Sequence, residues 1–164
     1  MNSIDKVNKL SKSDFISIFG NVFEKTEWIA QKSYDLKPYK NFEELFSKMM
    51  EVFENIEKEK HLEILNAHPN LVVEKKLTRD SKNEQKNASL NQCTEKEFLE
   101  FKKLNEEYKK KFGFPFIIAV KGKNKEEILN SFRQRITNNI NLEFEEAKKQ
   151  VKKIASFRLS EIIK

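Results

Sequence analysis

The chain has 164 residues, 38% hydrophobic and 35% charged, with 32 Lys plus Arg against 26 Asp plus Glu for a net charge of +6. That length suits a single domain able to bury about 70% of its unfolded surface without staples, and the one cysteine, Cys93, excludes an internal disulfide and a cysteine-built metal site. No stretch has the apolar run of a signal peptide or membrane span, so a cytoplasmic location is expected, and three glycines with three prolines are too few for the turns of an all-β fold.

Residues 11–32 read as helical: Ser11 or Ser13 can cap, Phe15, Phe19, Val22 and Phe23 fall at three- and four-residue steps, and a break is expected near Gly20 or Thr26. A second helix is predicted over 41–58, with Phe42, Leu45, Phe46, Met49, Val52, Phe53 and Ile56 on its apolar face, and a short third over 60–67. The charged segment 70–80 has no clear period. Helices follow at 81–90 and 95–112, the latter carrying Phe98, Phe101, Leu104 and Tyr108 on one side. The run Phe116-Ile117-Ile118-Ala119-Val120, bounded by Pro115 and Gly122, is short enough for a buried strand but has no partner, so it reads as a buried connector or helix start whose backbone amides are open to a ligand. Helices at 124–138 and 141–163 close the chain, the first with Ile128, Phe132 and Ile136 at four-residue steps. With no repeat, linker or low-complexity tail, the expectation is an all-α fold in a single domain over residues 1–164.

Lysines alternate with glutamates through 54–60, 74–87, 95–111 and 143–153. That is the pattern of solvated helix faces with i,i+4 pairs, which argues against a nucleic-acid surface and leaves room for steering of a small anion.

His68-Pro69 marks a helix boundary, because proline pushes the preceding residue out of α geometry and is favoured at the first position of a new helix. A histidine at such a break can face a cleft. Arg158 falls within the stripe of Ala147, Val151, Ile154, Ala155 and Ile162, where an apolar residue is expected; a guanidinium there needs an internal carboxylate, a bound anion or an escape along its stem. Ser81-x-x-Glu84 has the form of a capping box, and a helix start also suits an anionic ligand, with Gln85 adding a neutral donor and acceptor. His61 lies among charged residues and is placed on a solvent face without a role. Two histidines and one cysteine give no zinc spacing, no glycine loop cradles phosphate, and Cys93 has no nearby histidine. Acid/base chemistry with no cofactor and no metal remains.

The ordered set Phe19-Gly20, Trp28-Ile29-Ala30, Leu65-Asn66-Ala67-His68-Pro69-Asn70-Leu71, Ser81-x-x-Glu84-Gln85, Leu104-Asn105-x-x-Tyr108, Lys111-Phe112-Gly113-Phe114-Pro115-Phe116-Ile117 and Ile154-Ala155-x-x-Arg158-Leu159 resembles the 2-oxo-4-hydroxy-4-carboxy-5-ureidoimidazoline (OHCU) decarboxylases of urate breakdown. Asn70 and Ser89 depart from the usual aspartate and glycine. The resemblance implies a compact all-α bundle that assembles as a homodimer, acting on a small ureide and forming (S)-allantoin and carbon dioxide without cofactor. It matches His68, Glu84 and Arg158 to the family's catalytic set, and Pro69, Ser81, Gln85 and the backbone of Phe116, Ile117, Ile118, Ala119 and Val120 to its substrate pocket. A histidine, with an ordinary pKa of about 6.5, suits the proton transfers; Arg158 would fix an anionic oxygen or pair with Glu84. Rival readings are a cofactor-free hydrolase or isomerase of a related ureide, and a basic helical interaction module without membrane or catalytic role.

Overall fold

The computed structural model describes residues 3–72, 79–88, 90 and 93–164; the part of the unassigned charged segment at 73–78 and Ser89 lie outside them. Among the described residues there are nine α-helices and no strand, in the order α1 (Ile4–Asn8), α2 (Lys12–Phe19), α3 (Glu27–Tyr34), α4 (Phe42–Glu54), α5 (Lys58–Ala67), α6 (Arg79–Asn87), α7 (Glu95–Phe112), α8 (Lys125–Arg135) and α9 (Ile140–Ile162). The fold class is all-α. The chain forms two compact units, one of residues 1–67 with 152–164 and the other of residues 68–151, the boundary in α9 falling after Val151.

In the first unit, Ser11 caps α2 by accepting the Asp14 amide at 3.1 Å, and Gly20 ends it. A side chain at Gly20 would put its Cβ 2.4 Å from the Ile16 carbonyl oxygen, so glycine lets the chain turn tightly there. Thr26 precedes α3, so the single expected break runs from Gly20 to Thr26. The helix predicted over 41–58 stops at Glu54, and α5 begins at Lys58. Asn41 caps α4 through the Glu44 amide at 2.8 Å, and Leu45, Met49 and Phe53 are its buried stripe. The stripe continues in Phe23, whose ring stacks on Phe53 at 5.1 Å.

His61 is not on a solvent face. It is 5% exposed, its Nε2 meets the Phe53 carbonyl at 2.7 Å, and its ring stands edge-on to Phe53 at 4.9 Å. The charged neighbours Lys58, Glu59 and Lys60 occupy the first turn of α5, and the imidazole leaves them to satisfy a carbonyl at the end of α4.

In the second unit, Thr94 and Glu97 form a capping box at the start of α7, and Asn124 and Glu127 form another at α8. Each satisfies two amides that would otherwise have no partner. Gly113 closes α7 in the left-handed conformation, φ 83°. Tyr108 anchors the core, with the rings of Phe112, Phe114, Phe116 and Phe132 within 4.4 to 5.9 Å of its own. Lys103–Glu107 is an exposed i,i+4 pair within one of the alternating runs, and Lys48–Glu51 and Lys60–Glu63 pair at three residues on other solvated faces.

Candidate active site

His68 directly follows α5, at the bend expected ahead of Pro69. The imidazole is 8% exposed and Pro69 is half-buried. The chain just beyond is strapped to two helices of its own unit. Gln85 on α6 accepts the Val72 amide through Oε1 at 3.1 Å and donates Nε2 to the Asn70 carbonyl at 3.4 Å, and Asn105 on α7 donates to the Leu71 carbonyl at 2.9 Å. Val72 adopts φ 54°. A β-branched residue enters that left-handed region at a cost of about 1–3 kcal/mol, so the surrounding bonds must hold it there.

The helix that supplies Gln85 contains no apolar residue: its sequence is Arg-Asp-Ser-Lys-Asn-Glu-Gln-Lys-Asn. Even so, Ser81 and Gln85, one turn apart, are 5% and 9% exposed, with Glu84 half-buried beside them. A surface helix buries a leucine stripe by default; this one turns hydroxyl, carboxamide and carboxylate groups inward. The capping-box reading of Ser81 and Glu84 is corrected here, because α6 begins at Arg79 and places Ser81 inside the helix. Gln85, expected to meet substrate, spends its carbonyl oxygen and one amide proton on the backbone after Pro69.

Phe116 to Val120 form a buried connector without regular structure, each residue 1 to 7% exposed. Its amides are not all open, contrary to expectation, since Ala119 N–H donates to Gln150 Oε1 at 3.0 Å. Arg135 Nη1 grips the Ile117 carbonyl at 2.7 Å. Behind the connector lies a cluster that sequence reasoning missed. Glu143, fully buried, accepts from Arg135 Nε at 2.7 Å, the Tyr108 hydroxyl at 2.6 Å and Asn138 Nδ2 at 3.0 Å. Burial, with the Glu143 hydrogen bond second, pushes the Tyr108 phenol far above its ordinary pKa and keeps it a neutral donor.

Arg158 belongs to the first unit and is 5% exposed, where the α9 stripe put it. Of the three ways to satisfy it, the structure uses an internal carboxylate: Nη2 donates to Glu24 Oε2 at 2.7 Å, and Nη1 to the Asn21 carbonyl at 2.8 Å. Glu24 is fully buried. Nothing periodic in the turn between Phe19 and Thr26 singles it out. In the same unit an open groove of about 750 Å³ is lined by Ser17, Asn21, Lys25, Trp28 and Gln31 among others, and none of the expected site residues borders it.

Cys93 is half-buried, its Sγ 3.3 Å from the Leu90 carbonyl. Burial, reinforced by Glu97, raises the thiol pKa and weakens it as a nucleophile. No group of three or more His, Cys, Asp or Glu among the described residues is arranged to hold a metal ion.

The family model described as OHCU decarboxylase matches residues 8–160. The uric acid degradation bifunctional protein of Bacillus sp. (strain TB-90) is 41% identical over 164 residues, which are all of this chain and 33% of that protein, so the chain spans about a third of its length. The 2-oxo-4-hydroxy-4-carboxy-5-ureidoimidazoline decarboxylase of Haloferax volcanii is 34% identical over 97% of this chain and 95% of its own. A crystal structure of (S)-allantoin synthase superposes with a TM-score of 0.83 at 25% identity, covering all of this chain and 54% of that one. With a family model spanning nearly the whole sequence and a relative matched almost end to end, the chain belongs to the OHCU decarboxylase family.

Proposed function

We propose that the protein decarboxylates 2-oxo-4-hydroxy-4-carboxy-5-ureidoimidazoline to (S)-allantoin, as a step of urate degradation, with residues 1–164 acting as one catalytic domain. The observation that carries this reading is a buried histidine at a helix break, in the unit that also turns the polar face of α6 inward, within a chain of this family.

The substrate carries a hydroxyl and a carboxylate on one ring carbon, next to a carbon–nitrogen double bond. When the bond to the carboxylate breaks, its electron pair forms a carbon–carbon double bond in the ring and the former C=N pair moves to nitrogen, which takes a proton. Carbon dioxide leaves. Loss of the hydroxyl proton and protonation of the ureido-bearing carbon on one face then give the single enantiomer, for a net uptake of one proton. The ring itself is the electron sink, so the reaction calls on protein groups only to bind, orient and move protons.

His68 is assigned the proton transfers, a general acid/base role worth about 10² to 10⁴ in rate. Glu84 orients the ureido and ring amide groups together with Gln85, whose second amide proton is the part left for a ligand. Arg158, fixed by Glu24, holds an anionic oxygen of the substrate. Pro69, Ser81 and the Phe116 to Val120 backbone complete the pocket. The family likeness supports a homodimer, and the single free cysteine fits a cytoplasmic location.

The test is to mix the protein with freshly generated urate-oxidation product and follow circular dichroism. Rapid growth of the (S)-allantoin signal is expected. Formation of racemic allantoin at the spontaneous rate would overturn the assignment and favour a hydrolase or isomerase of a related ureide.

A further inference from the structure

The connector Phe116 to Val120 is gripped at backbone atoms of two residues, Ile117 and Ala119, with only Ile118 between them. Arg135 Nη1 takes the Ile117 carbonyl at 2.7 Å, and Gln150 Oε1 takes the Ala119 amide at 3.0 Å. In a planar trans peptide the C=O and N–H point in opposite directions, and the cis peptide of the described chain is elsewhere, at Lys37-Pro38. The Ile118 N–H shares its peptide with the Ile117 carbonyl and so points away from Arg135. The Ile118 carbonyl shares its peptide with the Ala119 amide and so points away from Gln150.

Ile118 is 6% exposed, yet among the described residues neither its N–H nor its C=O meets a hydrogen-bond partner. Buried main-chain groups are paired in the great majority of cases, and leaving one unpaired carries a desolvation cost. Here a donor and an acceptor on one residue are left open together. A cyclic ureide or amide edge carries the complementary acceptor and donor side by side.

Both gripping residues are themselves held. Arg135 is pinned by Glu143 through Nε, lies 4.4 Å from the Phe116 ring centroid, and that ring stacks on Phe132 at 3.9 Å. Gln150 donates Nε2 to Glu146 at 2.9 Å, which fixes its carboxamide with the oxygen toward Ala119. A carboxamide flipped end for end would set N–H against N–H.

We propose that Arg135 and Gln150 are positioning residues that set the register of this connector, so that the Ile118 peptide groups, and not those of its neighbours, face the ureide edge of the ligand. The inference rests on the reading that this backbone meets substrate. It makes Arg135 and Gln150 act on recognition through the main chain, without contact to the reacting atoms.

The experiment measures KM and kcat for the decarboxylation, and the Kd of (S)-allantoin by calorimetry, for wild type, Gln150→Leu and the swap Glu146→Gln with Gln150→Glu. The swap keeps an acceptor toward Ala119 and returns a donor from position 146. Gln150→Leu should raise KM and the allantoin Kd together by about tenfold, the worth of one lost hydrogen bond, with a much smaller change in kcat; the swap should restore both to within about threefold. A lowered melting temperature with unchanged KM and Kd in Gln150→Leu would overturn the inference, leaving a structural role alone. Wild-type protein that neither turns over substrate nor binds (S)-allantoin would sink the proposed function and this inference with it, whereas normal wild-type binding with an unaffected Gln150→Leu sinks the inference only.

Discussion

His68→Asn should fold normally and lose turnover by about 10² to 10⁴, the range expected for a missing general acid/base. Asparagine keeps a polar, hydrogen-bonding group of moderate size at a position where the imidazole is 8% exposed, but it cannot exchange a proton near neutral pH. His68→Ala should behave alike in turnover. The check is the growth rate of the (S)-allantoin dichroism beside a thermal melt of each variant. Wild-type-like turnover in either variant removes His68 from the mechanism, and the buried His61 does not inherit the role, because its Nε2 is engaged by the Phe53 carbonyl.

Glu143→Ala carries the largest expected loss of stability, about 3–5 kcal/mol, the cost of leaving one member of a buried ion pair without its partner. The carboxylate is fully buried and receives three hydrogen bonds, from Arg135, Tyr108 and Asn138. Its removal leaves a guanidinium that is 9% exposed without its counter-charge and a phenol without its acceptor. The double variant Arg135→Leu with Glu143→Leu should recover part of that loss, since an apolar pair of similar volume needs no desolvation. Urea unfolding of the two variants against wild type measures both effects, and a loss below about 1 kcal/mol in Glu143→Ala would contradict the account.

The same cluster has an alkaline signature. The Tyr108 phenol holds its proton in the folded chain well above the ordinary tyrosine pKa of about 10. Above that pH the unfolded chain releases a proton that the folded one keeps, so stability falls as pH rises past about 10. Tyr39, whose phenol donates to the Ser33 carbonyl, is pushed up to about 12 by burial and then by Glu44, and adds to the slope in the same direction. Tyr108→Phe should leave a shallower slope.

Periodicity made helices such as α4 and α7 legible, though not α1 or the apolar-free α6, and the α9 stripe made Arg158 legible as a buried cation, because an arginine on an apolar face at 3.6-residue spacing has few ways to be satisfied. Its partner was not legible. Glu24 sits in a turn between α2 and α3, where no period distinguishes an inward carboxylate from a solvated one. Arg135 and Glu143 were hidden for a related reason: each lies among surface charges on its own helix, and only packing brings the two together across eight residues. His61 looked solvated because the residues before it are charged, while the carbonyl that captures it belongs to another helix. Ser81 and Glu84 fit a capping box by spacing, but α6 starts two residues earlier and gives Ser81 an inward place instead. The buried connector at Phe116 to Val120 was read correctly from its apolar run; which of its amides stays open depends on Gln150, some thirty residues away in the chain.

A crystal structure of the protein grown with (S)-allantoin tests the central claim most directly. The ligand should lie against the imidazole of His68 and the carboxylate of Glu84, with its ureide edge on the peptide groups of Ile118. Allantoin seated instead in the groove beside Trp28 and Lys25, with His68 untouched, would contradict it.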